Sequence, residues 1–200
     1  MKTICLIGKP NVGKSSIFNR LIREKKAIIM DTPGITRDRI YGKVNYQDKS
    51  FYLIDTGGIS LENASFDKEI LMQAQLAMDE ADIILFVVDG LSELDQTDLY
   101  ISNLLHKTNK EVIIVVNKLD NEKRKENIYN YYELGFSNII GVSAEHNLGI
   151  DELLKEITKD IEIESLEEDN RIKFCIIGRP NVGKSSLINA LLNEERVIVS

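Results

Sequence analysis

Residues Gly8–Ser15 read GKPNVGKS, and this is the GxxxxGK[ST] spacing of a phosphate-binding loop. The apolar run Ile4–Ile7 precedes the segment, and a pattern typical of a helix begins at Ser16. In such a context the glycines let the backbone curl so that several N–H groups point at one anion, and the positive end of the helix dipole adds to the attraction. The sequence therefore predicts a strand, a phosphate-binding loop and a helix at the start of the chain.

Two side chains of this loop have a distinct expected chemistry. Lys14 is expected to reach the outer phosphates of a nucleotide, and the Ser15 hydroxyl is expected to ligate Mg²⁺. The predicted phosphate-binding residues of the loop are Gly8, Asn11, Val12, Gly13, Lys14, Ser15 and Ser16.

The motif occurs a second time near the end of the chain, where residues 178–185 read GRPNVGKS. The match to the first copy runs from Ile172 to Ile198 without a gap. A lone strand and helix cannot bury their own apolar faces, so we expect residues 172–200 to be the truncated start of a second domain. We expect this incomplete site to bind nucleotide poorly. Its residues are Gly178, Asn181, Gly183, Lys184 and Ser185.

The repeat also predicts the domain organisation. Residues 1–160 are expected to form a first complete domain, and residues 161–171 an acidic linker to the second. The alternative for the linker is an acidic segment that docks on a basic surface.

The composition is that of an ordinary soluble globular protein, with 43% apolar and 28% charged residues and a net charge of -7. The negative charge argues against a nucleic-acid coat protein, and we expect no DNA partner. Cys5 and Cys175 each lie in an apolar run and predict buried thiols in a reducing compartment. No apolar run approaches the length of a membrane span, so we expect a cytoplasmic protein without a membrane partner.

Strand and helix patterns alternate along the first domain. Arg39–Gln47 and Ser50–Asp55 are expected to pair as adjacent strands through a tight turn at Asp48-Lys49. The pattern predicts an α/β fold, with a doubly wound, mostly parallel sheet, one antiparallel strand, and helices on both faces. The other predicted strands are Ile83–Val88, Val112–Val116 and Ile139–Val142, and the predicted helices are Phe66–Glu80, Asp95–His106, Asn121–Leu134 and Ile150–Ile161.

Asp55-Thr56-Gly57-Gly58 follows a predicted strand and gives a second candidate element of the site. Asp55 is expected to hold Mg²⁺, usually through water, and the N–H of Gly58 to meet a terminal phosphate. Asp31–Gly34 has the same DxxG spacing, but no apolar strand of normal length leads into it. We therefore assign the metal to Asp55.

Thr36 lies in a polar segment between the first helix and the paired strands. Its hydroxyl is expected to close over Mg²⁺ while its N–H senses the terminal phosphate. The alternative is a solvated loop in which Thr36 has no such role.

Asn117-Lys118-Leu119-Asp120 follows the predicted strand Val112–Val116 and is the candidate base-reading element. A carboxylate such as that of Asp120 accepts both donors on the edge of guanine, whereas adenine offers no donor there. Asn117 is expected to tie loops together and meet the base, and the Lys118 stem to pack on the ring. Ser143 and Ala144 follow the last strand, where small residues let a backbone N–H approach the guanine carbonyl.

Taken in this order, GKPNVGKS, Thr36, DTGG, NKLD and SAE resemble the motifs of a translation-factor-class P-loop GTPase, within the P-loop NTPase fold. The wording GxPNVGKSS, the TPGITRDR segment and the repeat after an acidic linker resemble the Der (EngA) family of tandem bacterial GTPases. That resemblance implies GTP hydrolysis to GDP with Mg²⁺, and a role for the parent protein in assembly of the large ribosomal subunit.

The same resemblance leaves the attacking water without an evident partner, because Ile59 stands where many GTPases have a glutamine. Slow intrinsic turnover is therefore expected. Similar GTPases use K⁺ held by a loop asparagine, and Asn11 matches that position. Lys14, Thr36, Gly58 and Asn11 are accordingly the predicted catalytic residues. Arg37 and Arg39 are the alternative, as internal arginine fingers.

Two other function classes remain open on sequence alone. An ATP-using P-loop enzyme is one, although Asp120 argues against it. The other is a nucleotide-dependent binding module with negligible hydrolysis. The basic clusters at Arg20–Lys26 and Lys123–Lys125 are predicted to be solvated helix faces, with RNA contact as the alternative.

Overall fold

One mixed sheet organises the part of the chain that the computed structural model describes, which is residues 1–24, 28–30, 40–56, 66–121 and 126–162. The sequence alternates between strands and helices almost throughout, as predicted. The elements are β1 (Lys2–Ile7), α1 (Lys14–Glu24), β2 (Ile28–Met30), β3 (Ile40–Tyr46), β4 (Lys49–Asp55), α2 (Phe66–Glu80), β5 (Ile83–Asp89), α3 (Gln96–Leu105), β6 (Glu111–Asn117), a 3-10 helix (Glu126–Leu134), β7 (Ile139–Gly141) and α4 (Ile150–Thr158).

The seven strands lie in the order β2-β3-β4-β1-β5-β6-β7. Strand β3 runs antiparallel to both β2 and β4, while the pairs β1–β4, β1–β5, β5–β6 and β6–β7 are parallel. The prediction of one antiparallel strand in a mostly parallel sheet is confirmed. Because the parallel strands share one direction, their carboxyl ends meet at one edge of the sheet, where ligands bind in folds of this kind.

Helices cover both faces of the sheet, as expected. Alternate residues of β1 divide between the two cores: Ile4 and Leu6 pack with α1 and α4, whereas Cys5 and Ile7 pack with α2, α3 and the 3-10 helix. This alternation follows from the two-residue period of a strand, and it lets the short apolar run Ile4–Ile7 contribute to both layers.

Residues 126–134 differ from the predicted helix over Asn121–Leu134. They form a 3-10 helix, and residues 122–125 lie outside the described part. Tyr131 and Leu134 are buried, Ile128 is partly buried, and all three lie three residues apart and pack on the core. That spacing matches three residues per turn. Gly135, at a φ of +79°, follows the last turn.

Strand β2 was not predicted, and the tight turn between β3 and β4 lies at Gln47-Asp48, one residue earlier than predicted. Gln47 adopts a φ of +54°, as two-residue hairpin turns require. Among the described helices, none is both long and apolar enough to cross a bilayer.

The chain divides into two compact units, Met1–Ser165 and Leu166–Ser200. The second unit, and with it the predicted second phosphate-binding loop, lies outside the described residues. Cys5 is buried, as expected, and forms no disulfide bond within the described residues, whereas Cys175 lies outside them.

Candidate nucleotide-binding site

The phosphate-binding loop follows β1 at the carboxyl edge of the sheet, and its backbone takes conformations that favour glycine and asparagine. Gly8 has a φ of +152°, Asn11 of +66° and Gly13 of +96°. A Cβ on Gly8 would meet the carbonyl oxygen of Val87, and one on Gly13 would meet the side-chain nitrogen of Asn117. The loop is therefore shaped by backbone conformation and by close approach of neighbouring strand ends.

The backbone N–H groups of this loop are suited to an anion. In the described part of the chain, no backbone–backbone hydrogen bond uses the N–H of Asn11, Val12 or Gly13. Helix α1 begins directly after these residues, so the N–H groups of its first turn add to the positive potential. Ser15 and Ser16 are exposed there. The donor set fits the phosphates of a nucleotide.

Lys14 lies under the loop and is 6% exposed. Its ammonium donates to the carbonyl of Gly8 at 2.7 Å and to that of Lys9 at 3.0 Å. These bonds hold the charge at the inner side of the loop, where a phosphate chain threading the cradle would pass. The lysine is thus placed by two backbone carbonyls of the loop it belongs to.

Asn117, at the end of β6, joins two loops of the site. Its amide nitrogen donates to the carbonyl of Val12 at 2.9 Å, and its oxygen accepts from the N–H of Ala144 at 3.1 Å. The residue is 3% exposed. The hydrogen bonds fix the distance between the phosphate-binding loop and the loop after β7.

Lys118 links the end of β6 to the phosphate-binding loop and to the end of β5, and its backbone has a φ of +69° directly after the strand. Its ammonium donates to the carbonyl of Asn11 at 2.9 Å and to Asp89 Oδ2 at 2.6 Å. Asp89 Oδ1 in turn accepts from the N–H of Leu91 at 3.0 Å. Asp89 was not predicted from the sequence, and its carboxylate holds the ammonium of Lys118.

Asp120 stands at the mouth of the same cleft. The Ser143 hydroxyl donates to Asp120 Oδ1 at 2.8 Å and accepts from the N–H of His146 at 3.2 Å. The hydrogen bond from Ser143 therefore orients the Asp120 carboxylate, which is the group expected to recognise the base. The buried Ala144 leaves room beside it.

Arg20 supports this wall from helix α1. It donates to the carbonyl of Ala144 through Nε at 2.8 Å and to that of Glu145 through Nη2, also at 2.8 Å. The prediction of a solvated helix face is therefore wrong at Arg20, because its guanidinium ties α1 to the loop after β7. A planar fork of N–H donors suits two successive carbonyls.

The carboxylate of Asp55, a predicted ligand of Mg²⁺, lies at the same edge of the sheet. Asp55 ends β4 beside Leu6 of β1, two residues before the phosphate-binding loop, and is 1% exposed. The adjacent Thr56 hydroxyl donates to the carbonyl of Leu6 at 2.5 Å, which fixes the strand end. Carboxylate and hydroxyl oxygens from Asp55 and Ser15 fit a hard divalent cation.

The phosphate-binding loop and the residues that follow β6 and β7 line one cleft of about 580 Å³, a volume in the range of a small-molecule site, whereas Asp55 is not among its lining residues. The structure brings together both predicted groups, the phosphate-binding loop and the base-reading residues. Residues Thr36, Arg37, Arg39, Gly58 and Ile59, and the second loop at Gly178, Asn181, Gly183, Lys184 and Ser185, lie outside the described part. Cleft residues that were not predicted to bind are Pro10, Leu91 and Glu145.

The chain matches known proteins over most of its length. A model of the family described as 50S ribosome-binding GTPase matches residues 3–118 and 173–200. GTPase Der of Mycoplasma capricolum is 48% identical over 200 residues, and GTPase Der of Staphylococcus carnosus is 50% identical over 200 residues. The matches cover 100% and 98% of this chain, but the chain spans only 46% of the length of each relative.

The fold of this chain is also similar to those of solved structures. A crystal structure of Era in complex with MgGDPNP and nucleotides of 16S ribosomal RNA is 29% identical, with a TM-score of 0.64. The similarity covers 88% of this chain and 59% of the Era chain.

Proposed function

Because the chain belongs to the 50S ribosome-binding GTPase family, we propose that residues 1–160 form a G domain that binds GTP and hydrolyses it to GDP and phosphate. One observation carries the proposal. The buried side chain of Asn117 bonds to the phosphate-binding loop at Val12 and to the loop after β7 at Ala144. A single side chain thereby sets the span between the phosphate end and the base end of the cleft.

Guanine is the proposed base. The Asp120 carboxylate, oriented by Ser143, would accept from the two donors of the guanine edge, and the small side chain of Ala144 leaves room for the base. Adenine would leave the carboxylate without a donor, and a polar group left without its partner is a strong basis for rejection. The stem of Lys118 packs on the face of the ring.

The phosphates lie in the loop, with Lys14 and the N–H groups of Asn11–Gly13 stabilising the charge that develops in the reaction. Ser15, Asp55 and Thr36 would hold Mg²⁺, which would supply neutralisation of charge at the outer phosphates. Gly58 offers its N–H to the terminal phosphate. Positioning and charge neutralisation supply most of the catalysis in phosphoryl transfer.

Slow intrinsic hydrolysis and stimulation by K⁺ are part of the proposal. Ile59 cannot orient water by hydrogen bonding, so a further positive charge near the phosphates has to compensate. Asn11 is exposed in the cleft and lies in the loop itself, where its side-chain oxygen suits a monovalent cation. Lys14, Thr36, Gly58 and Asn11 are the residues to which we assign the reaction.

The chain spans about half the length of its relatives. We propose a tandem arrangement, with residues 161–171 as an acidic linker and 172–200 as the start of a second G domain. The proposed partner of the parent protein is the large ribosomal subunit or its assembly intermediates, in the cytoplasm. GTP state would switch that interaction.

The direct test is single-turnover hydrolysis of GTP by the chain with Mg²⁺, with ATP as competitor. We expect GDP and phosphate at a slow rate, and no displacement of bound guanine nucleotide by ATP at equal concentration. Tight GTP binding without hydrolysis in either K⁺ or Na⁺ would favour a nucleotide-dependent binding module. Displacement by ATP would contradict the base assignment.

A further inference from the structure

Lys9 is the second residue of the phosphate-binding loop, and its side chain extends away from the loop to helix α3. Its ammonium lies 2.8 Å from Asp98 Oδ2 and 2.6 Å from Asp95 Oδ2. The Lys9 side chain is 15% exposed and that of Asp98 only 3%. Partial burial lowers the pKa of Lys9, but the bonds to Asp95 and Asp98 outweigh this effect and raise it. The amine is therefore held as a cation.

Asp98 is a fixed anchor for this cation. Asp95 caps α3 with Oδ1, which accepts from the N–H groups of Thr97 and Asp98, and Asp98 Oδ2 accepts from the N–H of Asp95 in return. This capping box fixes the rotamer of both carboxylates. Among the described residues, the buried Asp98 Oδ1 has no hydrogen-bond partner. Lys9 is thus the counter-charge of a buried carboxylate.

The backbone of Lys9 needs such an anchor. It follows Gly8, whose φ of +152° belongs to a region that glycine enters freely. In the described part of the chain, Lys9 makes no backbone–backbone hydrogen bond. Yet the Lys9 carbonyl accepts from Lys14 Nζ at 3.0 Å, beside the bond from Lys14 to Gly8. The position of the catalytic ammonium thus depends on a carbonyl that the backbone itself does not fix.

We propose that the Lys9–Asp98 ion pair positions Lys14, so that Lys9 and Asp98 act as positioning residues for binding of the nucleotide phosphates. The side chain of Lys9 pins its own carbonyl against α3, and that carbonyl holds the ammonium of Lys14 under the loop. This inference rests on the proposed binding of guanine nucleotide to the same loop. Lys9 touches neither phosphate nor base in this account.

The test is a double-mutant cycle on GDP affinity. We expect Lys9→Met, which keeps the aliphatic stem, to weaken GDP binding by about tenfold, whereas Lys9→Arg retains most of the affinity because it keeps the charge. In a Lys14→Ala background, Lys9→Met should have almost no further effect, since the two residues act through one ammonium. Lys49→Met is the matched control, because Lys49 bonds to the carbonyl of Thr158 in a different part of the sheet.

The outcomes separate this inference from the proposed function. Absence of GDP binding by the unaltered chain would contradict the proposed function itself. If the unaltered chain binds GDP, a Lys9→Met variant that loses thermal stability but keeps GDP affinity would overturn the positioning role. An equal loss of affinity in both backgrounds would also overturn it. If Lys9→Met does not fold, Lys9→Met/Asp98→Asn removes both charges and is measured in the same cycle.

Discussion

The amide nitrogen of Asn117 donates a hydrogen bond to the carbonyl of Val12 at 2.9 Å, between residues 105 positions apart in the sequence. The oxygen of the same amide accepts from the N–H of Ala144. Because Asn117 ends β6 at the carboxyl edge of the sheet, one buried side chain fixes both ends of the cleft to the strands.

Replacing Asn117 with alanine should weaken nucleotide binding by about thirtyfold, since two buried backbone groups lose their partners at about 1 kcal/mol each. Isothermal titration with GDP measures the change. Asn138→Ala is the matched control: Asn138 donates to Glu156 Oε1 at 2.6 Å, outside the cleft. Unchanged GDP affinity in Asn117→Ala would show that the bridge does not shape the site.

Gly13→Ala should abolish tight GDP binding. The backbone of Gly13 has a φ of +96°, and the added Cβ would meet the side-chain nitrogen of Asn117. A Gly135→Ala variant is the control that separates the effect of backbone strain on stability from the effect on nucleotide binding. Gly135 also has a positive φ, of +79°, but its Cβ would face His106. We expect both variants to melt at lower temperature and only Gly13→Ala to lose GDP. Equal GDP affinities in the two variants would contradict the proposed cradle.

Hydrolysis should be faster in K⁺ than in Na⁺ at matched ionic strength, and Asn11→Ala should remove most of this difference. The proposed reason is that the Asn11 side-chain oxygen holds K⁺ beside the phosphates. GDP affinity should change far less than turnover, because the N–H of Asn11 remains. Single-turnover rates in the two salts check the prediction. Equal rates for the unaltered chain would remove K⁺ from the account.

Tyr131 should make the stability of the protein depend on alkaline pH. Its hydroxyl donates to the carbonyls of Asp89 at 2.5 Å and Ser92 at 3.0 Å, and burial raises the pKa of Tyr131 from 10.0 to about 12. The native state therefore keeps a proton that the unfolded chain releases above pH 10.0, so the stabilisation is lost as pH rises towards about 12.

Urea unfolding of Tyr131→Phe across that pH range measures this effect. The destabilisation of the variant relative to the unaltered chain, about 1 kcal/mol near neutrality, should shrink as pH rises. Tyr129→Phe is the control, because Tyr129 is 70% exposed. A stability difference that stays constant with pH would contradict the role of the Tyr131 proton.

Much of the fold could be predicted from the sequence because the signals are local. The apolar runs of β1, β5 and β6 and the glycine spacing after Ile7 depend on neighbouring residues alone. The antiparallel strand β3 could be predicted because a two-residue turn joins it to β4. Short apolar runs and the glycine spacing of a phosphate-binding loop are each compatible with few other local structures.

The remainder depends on contacts between distant residues. The 3-10 helix was predicted as a regular helix because a three-residue spacing of Ile128, Tyr131 and Leu134 is compatible with both over one or two turns. Neither the bonds of Arg20 to the loop after β7 nor the ion pair of Lys9 with Asp98 has a local signature. Ala144 lies 124 positions from Arg20 in the sequence, and Asp98 lies 89 positions from Lys9.

The measurement that tests the guanine assignment most directly compares GDP and xanthosine diphosphate on the unaltered chain and on Asp120→Asn. The amide presents a donor where guanine also has one, whereas xanthine has a carbonyl there. We expect the unaltered chain to prefer GDP by several orders of magnitude, and Asp120→Asn to prefer the xanthine nucleotide while retaining its thermal stability. Unaltered GDP affinity in Asp120→Asn would contradict the account, because Asp120 would then not read the base.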